Sequence, residues 1–280
     1  MQIGIFAKTF ARQTLGATLD AVAAHGIRAV QFNLSCAGLP TLPDALDAAT
    51  CDVIRAAHAE RGLTMAAISG TFNMIHPDPQ VRSDGLRRLG VLAASCTRLG
   101  APLITLCTGS RDAGNMWRRH PDNDSPEAWR DLLESMEVAL IGAECCSVHL
   151  GVEPEVANVI DSARKARRLL DELRSPWLKI VMDGANLFHA GELARQRAVL
   201  DEAFDLLGGD IALAHAKDLR ADGAAGDAAA GTGLLDYPYY LERLHTCGYT
   251  GPLILHALRE DEVAAAVTFL QDAGRRSPDA

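Results

Sequence analysis

The stretch LRRLGVLAASCTRLGAPLITLCT, Leu86–Thr108, decides the fold. Its first half sets Leu86, Leu89, Leu92, Cys96 and Leu99 on one stripe of a helix. Gly100 follows, the residue type that ends helices in the left-handed conformation. The apolar run Leu103–Thr108 then reads as a strand buried on both faces.

The same order recurs in both directions. Gly26 precedes IRAVQFN, Gly62 precedes LTMAAIS, Gly208-Gly209 precedes DIALAH and Gly248 precedes YTGPLILH. Trp129, Leu132, Leu133, Met136 and Leu140 form a second helical stripe, and Ser125-Pro126 is a cap followed by a first-turn proline. Eight strands are expected: Gln2–Phe6, Ala29–Leu34, Leu63–Ser69, Leu103–Thr108, Ser147–Glu153, Leu178–Asp183, Ile211–His215 and Leu253–His256. Eight strand–helix units in 280 residues give about 35 residues per unit. The parsimonious fold is one (β/α)8 barrel over residues 1–274, with 275–280 as a disordered tail. An open doubly wound sheet is disfavoured, because no Gly-x-Gly-x-x-Gly turn follows the first strand. Long loops after strands three, four and seven gather at the carboxyl ends, where barrel active sites sit.

Composition narrows the function. The chain has 27 basic and 36 acidic residues, a formal charge of −9. That argues against nucleic acid as a partner, since phosphate binding needs a basic face. The seven cysteines are an odd, unpatterned set, as in a reduced cytoplasmic protein. Met1–Lys8 reads as a strand and not as a secretory leader, and no apolar run is long enough to span a membrane.

The chemistry lies at the strand ends. Strand five ends at Glu153, six at Asp183, seven at His215 and eight at His256, spaced 30, 32 and 41 residues apart. That is close to the period of the fold, so four ligand-type side chains stand on neighbouring strands at one level. A carboxylate ending an apolar strand is costly unless paired or coordinated. Two carboxylates and two imidazoles suit one divalent ion: Mn²⁺, Co²⁺, Zn²⁺ or Fe²⁺. Lys217 follows His215 by two and shares its side of the strand, a candidate catalytic ammonium. Candidate substrate-binding residues are Gln31 and Asn33 on strand two, His76 in the loop after strand three, Arg111 and Trp117 in the loop after strand four, and Asn186 beyond strand six. The loop carrying Trp117 reads as a substrate lid. Glu155 is a candidate second carboxylate in the site, but after Pro154 it is expected to face solvent or cap the next helix.

The runs GVEPE, MDGAN, HAKD and GYTGPLIL resemble the sugar isomerase/epimerase group of xylose-isomerase-like barrels. That group also includes inosose dehydratases, hydroxypyruvate isomerases and, more distantly, endonuclease IV. The resemblance implies metal ligands Glu, Asp, His and Glu at the ends of strands five to eight. Glu153, Asp183 and His215 match this set, and His256 stands where a glutamate is implied. The expected activity is metal-dependent isomerisation or epimerisation of a sugar or polyol carbonyl through an enediolate, with Glu153 moving the proton. The alternatives are an inosose-dehydratase-like lyase and a non-catalytic sugar-binding relic. The expected partner is a small sugar or polyol, with a homodimer permitted by the aromatic loop.

Overall fold

The structure, a computed structural model, describes residues 1–275. Eight parallel strands close in sequence order into one barrel. They are β1 Ile3–Phe6, β2 Ala29–Phe32, β3 Thr64–Ser69, β4 Leu103–Leu106, β5 His149–Val152, β6 Leu178–Asp183, β7 Ile211–Ala216 and β8 Leu253–Leu255. The helices between them are α1 Leu15–Ala24, α2 Ala48–Ala59, α3 Pro79–Leu99, α4 Pro126–Cys146, α5 Ala163–Leu173, α6 Gln196–Leu207, α7 Tyr237–Thr246 and α8 Val263–Arg275. All eight expected strands form, most of them shorter than their apolar runs. The residues trimmed from the carboxyl ends turn away to form the site loops. Arg275, assigned to a tail, is the last residue of α8; residues 276–280 lie outside the described residues.

Helix stripes fall inward as the pattern requires. Leu89, Leu92, Cys96 and Leu99 of α3 are buried, as are Trp129, Leu132, Met136 and Leu140 of α4. Ser125 accepts a hydrogen bond from the Ala128 N–H at the start of α4. Gly26, Gly62, Gly100 and Gly248 end their helices with positive φ. Gly208-Gly209 does not: Gly208 keeps right-handed geometry at φ −52°, and a 3₁₀ turn over Gly208–Asp210 leads into β7 instead.

Inside the barrel Ala67, Leu103, Val181, Leu213 and Ile254 form a separate apolar plug below the strand ends. Space there is tight. A Cβ on Gly4 would lie 2.5 Å from the Ile254 side chain, so Gly4 leaves room for that residue. The plug is the dry floor on which a polar cluster must stand. Ile254→Ala is expected to destabilise the fold by about 2–5 kcal/mol, the usual cost of an unfilled core cavity. Denaturant unfolding checks this, and a loss under about 1 kcal/mol would show that the plug collapses freely.

Candidate functional site

The carboxyl ends of the strands open into a cavity of about 470 Å³, within the range of small-molecule pockets. Gln31, Glu153, Asn186, His215, Lys217 and His256 all line it. Strand register sets the positions. Asp183 pairs directly with His215 across β6 and β7. Glu153 and His256 each follow the last paired residue of their strands, Val152 opposite Ile180 and Leu255 opposite Ala216. The stagger of a closed barrel takes up these offsets.

Local geometry then aims each group. Asp183 Oδ1 accepts from the Ala185 N–H, 3.0 Å, starting a 3₁₀ turn over Gly184–Asn186. Its other oxygen is left facing His215 Nδ1 at 3.5 Å and Lys217 Nζ at 3.4 Å. Glu153 Oε2 lies 3.5 Å from the same His215 nitrogen. Its Oε1 accepts from Asn186 Nδ2 at 2.6 Å, and the Asn186 amide is oriented by the Gly226 N–H. The phenol of Tyr240 donates to the carbonyls of Met182 and His215, tying β6 to β7 where the ligands project.

The charges are coupled. Burial alone would strip the proton from His215, but the Glu153 and Asp183 carboxylates outweigh it and hold its pKa up to about 9. Burial would raise the Glu153 carboxyl, yet His215 and Lys217 keep it below the usual carboxylate range. Lys217 is raised despite its burial, by Asp183 and Glu153. His256 goes the other way: burial, then the charge of Lys217, push it down to about 3. It is a neutral imidazole, its ring 5.2 Å from that of His215.

These residues fit a divalent ion. Asp183, His215 and His256 each offer a ligand atom within 4.8 Å of the others. Asp183 Oδ2, His215 Nδ1 and His256 Nδ1 are buried without a hydrogen-bond partner. Unpartnered buried polar atoms are costly, and these three would all face a divalent ion once His215 gives up its Nδ1 proton. Glu153 borders the trio through His215.

Several sequence expectations change. His76 and Arg111 do not line the cavity. His76 bonds the Asp78 N–H and the Ala113 carbonyl, and Arg111 pairs with Asp131 at 2.7 Å. Both hold loops together from behind. Gln31 does face inward, but its amide is spent on His215, Ser69 and Thr105. Asn33 lines the cavity with its Oδ1 taken by the Ser35 N–H and Thr41. Trp117 lines the mouth, about half exposed at 51%. Glu155 is a correction: it is buried and lines the cavity, accepting from the Ala157 N–H and Asn158. Burial raises its pKa. Lys8, Ser69, Thr71, Cys107 and Met116 also line the cavity and were not singled out in the sequence. Their signal was slight: each follows or ends a strand, or sits beside Trp117.

Residues 19–273 match the sequence family of xylose isomerase-like TIM barrels. The chain belongs to that family. No curated protein matches the sequence. Solved structures share the fold of this xylose isomerase-like barrel. A xylose isomerase domain protein from Planctomyces limnophilus is 18% identical, with a TM-score of 0.76 over 99% of this chain and 98% of that one. The D-psicose 3-epimerase of Clostridium cellulolyticum H10 is 17% identical, with 0.73 over 98% and 99%. The 3-keto-D-glucoside 4-epimerase of E. coli is 18% identical, with 0.72 over 97% and 99%.

The raised pKa of His215 has a sign. A group that binds its proton more tightly when folded adds stability below its unfolded pKa, about 6.5, and loses it as pH rises through the folded value. In metal-free protein, stability is therefore expected to fall from pH 6.5 toward about 9. Thermal unfolding in chelator across that range checks it. A His215→Gln variant should show a flatter profile, and an equally steep one would assign the effect elsewhere.

Proposed function

We propose that this chain is a divalent-metal-dependent isomerase or epimerase of a small sugar or sugar-like polyol carbonyl compound. The observation that carries the reading is one wall of the cavity. There a buried, ionised Glu153 stands between Asn186 and His215, beside three orphaned ligand atoms and the Lys217 ammonium. The solved relatives named as sugar epimerases support the substrate class. All seven cysteines are unpaired, in keeping with a reducing cytoplasm. No helix among the described residues is long and apolar enough to cross a membrane.

Asp183, His215 and His256 would hold the ion, with Glu153 alongside. Mn²⁺, Co²⁺, Zn²⁺ or Fe²⁺ suits such donors, and the ion would supply Lewis-acid polarisation of the substrate carbonyl. Glu153 takes the proton from the carbon beside the carbonyl. The Lys217 charge faces the oxygen on which negative charge develops, so the enediolate forms in a site already organised for it. Asn186 fixes Glu153 through one oxygen and leaves the other to act.

Position 256 selects among reactions. The carboxylates lining the cavity, Glu153 and Glu155, both follow β5, whereas the β8 wall presents the imidazole of His256. Inversion between two opposed carboxylates is not available in this arrangement. Removal and return of the proton by one group, on one face, is. The reading therefore favours isomerisation over two-base C3 epimerisation.

Two measurements test it. Purified protein should retain about one divalent ion per chain, and Asp183→Ala should lose it. Full retention in that variant would move the ion elsewhere. With a panel of aldoses and ketoses in D₂O, deuterium should appear at the carbon next to the carbonyl. Glu153→Gln should slow this at least about a hundredfold while the fold persists. Undiminished exchange would transfer the base role to Glu155 or Lys217.

A further inference from the structure

Gln31 projects from β2, on the side of the barrel facing β7. Its Oε1 lies 2.8 Å from His215 Nε2, so a hydrogen bond crosses the barrel interior. The other end of the same amide donates to Ser69 Oγ at 3.3 Å and to Thr105 Oγ1 at 3.2 Å. Gln31, Ser69, Thr105 and His215 are all buried.

Two assignments of hydrogens satisfy this geometry, because the Ser69 and Thr105 hydroxyls can accept from the Gln31 amide or donate to it. The amide nitrogen stands on the Ser69–Thr105 side. Its carbonyl oxygen then faces His215, and an oxygen without a hydrogen can only accept. In this orientation His215 Nε2 carries a proton and donates it, and only this orientation leaves Nδ1 free to meet a cation. The ring cannot turn over without losing this bond. Nδ1 is thereby held toward Asp183 and Glu153, where it is orphaned. When a cation displaces the Nδ1 proton, the lone pair is exposed there while Nε2–H stays on Gln31. A histidine that binds a metal through one nitrogen commonly donates its other N–H to a fixed acceptor.

We propose that Gln31 is a positioning residue, which fixes the orientation and tautomer of His215 and thereby sets the affinity of the site for a divalent cation. It acts through His215, braced by Ser69 and Thr105, and does not bind substrate. The inference rests on the metal reading above for its affinity half and on the geometry alone for its positioning half.

The probe is Co²⁺ alone, titrated into the full chain and followed by its visible absorption. Gln31→Met keeps the length of the side chain and removes the carbonyl acceptor; it should weaken Co²⁺ binding about 10- to 100-fold. Gln31→Glu restores an acceptor and should recover most of that affinity or exceed it. Thr105→Val removes one brace and should weaken binding by less, an arm that stands even if Gln31→Met fails to fold. In ¹⁵N-histidine NMR, the protected Nε2 proton of His215 should persist in the unaltered protein and in Gln31→Glu and vanish in Gln31→Met. Unchanged Co²⁺ affinity in a folded Gln31→Met would overturn the proposal. So would a loss in Gln31→Glu as large as in Gln31→Met, which would reduce the residue to packing. If the unaltered protein binds no Co²⁺, the metal reading and the affinity half fall together. The imidazole proton then decides the positioning half by itself.

Discussion

Negative charge held above a dry apolar floor is the constraint from which the upper half of this molecule follows. Glu153, Glu155 and Asp183 stand buried over the plug formed by Ala67, Leu103, Val181, Leu213 and Ile254. An ionised carboxylate in such a place costs several kcal/mol unless something answers it. The answers come from different strands. His215 sits between Glu153 and Asp183, Lys217 approaches Asp183, and Asn186 donates to Glu153. Each is placed by the barrel's closure, which brings together residues separated by 30 or more positions. A candidate divalent-cation site, Asp183, His215 and His256, stands among these groups.

Fold and site were legible to different degrees. The strands were readable because a parallel strand covered on both faces must be apolar throughout, and the glycines after helices marked where each began. Asp183, His215 and His256 were readable for the same reason: a polar group closing an apolar run stands out. Glu155 was not, because what turns it inward is a loop closed on Asn158 and Ile160 and anchored through Asn158 on the distant Gly109. Asn158 binds both Glu155 and the Gly109 N–H, and the Glu155 N–H bonds the Ile160 carbonyl. The pull of Pro154 toward a solvent turn is overridden by those contacts. Arg111 was misread in the opposite direction. An arginine in a loop over the mouth suggests substrate, but Asp131 on α4 claims it. The Gly208-Gly209 pair shows the limit of a local rule. A left-handed cap is one way to leave a helix, and here a 3₁₀ turn does the work.

The departure at His256 links sequence to chemistry. It is reached by a backbone that turns immediately afterwards, with Ala257 at φ 52°, left-handed for a residue that has a Cβ. Such a conformation costs roughly 1–2 kcal/mol and persists only where the surroundings insist on it. The imidazole is packed between the rings of Phe6 and His215, and burial keeps it uncharged. A neutral donor on the β8 wall, opposite carboxylates on the β5 wall, gives the cavity a chemical handedness.

Asn73 bonds both backbone groups of Ser110, Asn123 joins Ser110 and Arg111 to Ala157, and Asn158 joins Gly109 to Glu155. Three asparagines thereby stitch the loops after β3, β4 and β5 into one body, with Trp117 carried on it. Parting those loops would expose several buried amides at once, so that half of the mouth behaves as a fixed jamb. The alanine- and glycine-rich segment after β7, where Ala225 forms part of the wall, is tied separately: Asp218 accepts from the Gly231, Gly233 and Leu235 N–H groups, and Gly226 bonds Asn186. Both flanks of the mouth are therefore laced by bonds between side chain and backbone, and its shape is set before anything enters.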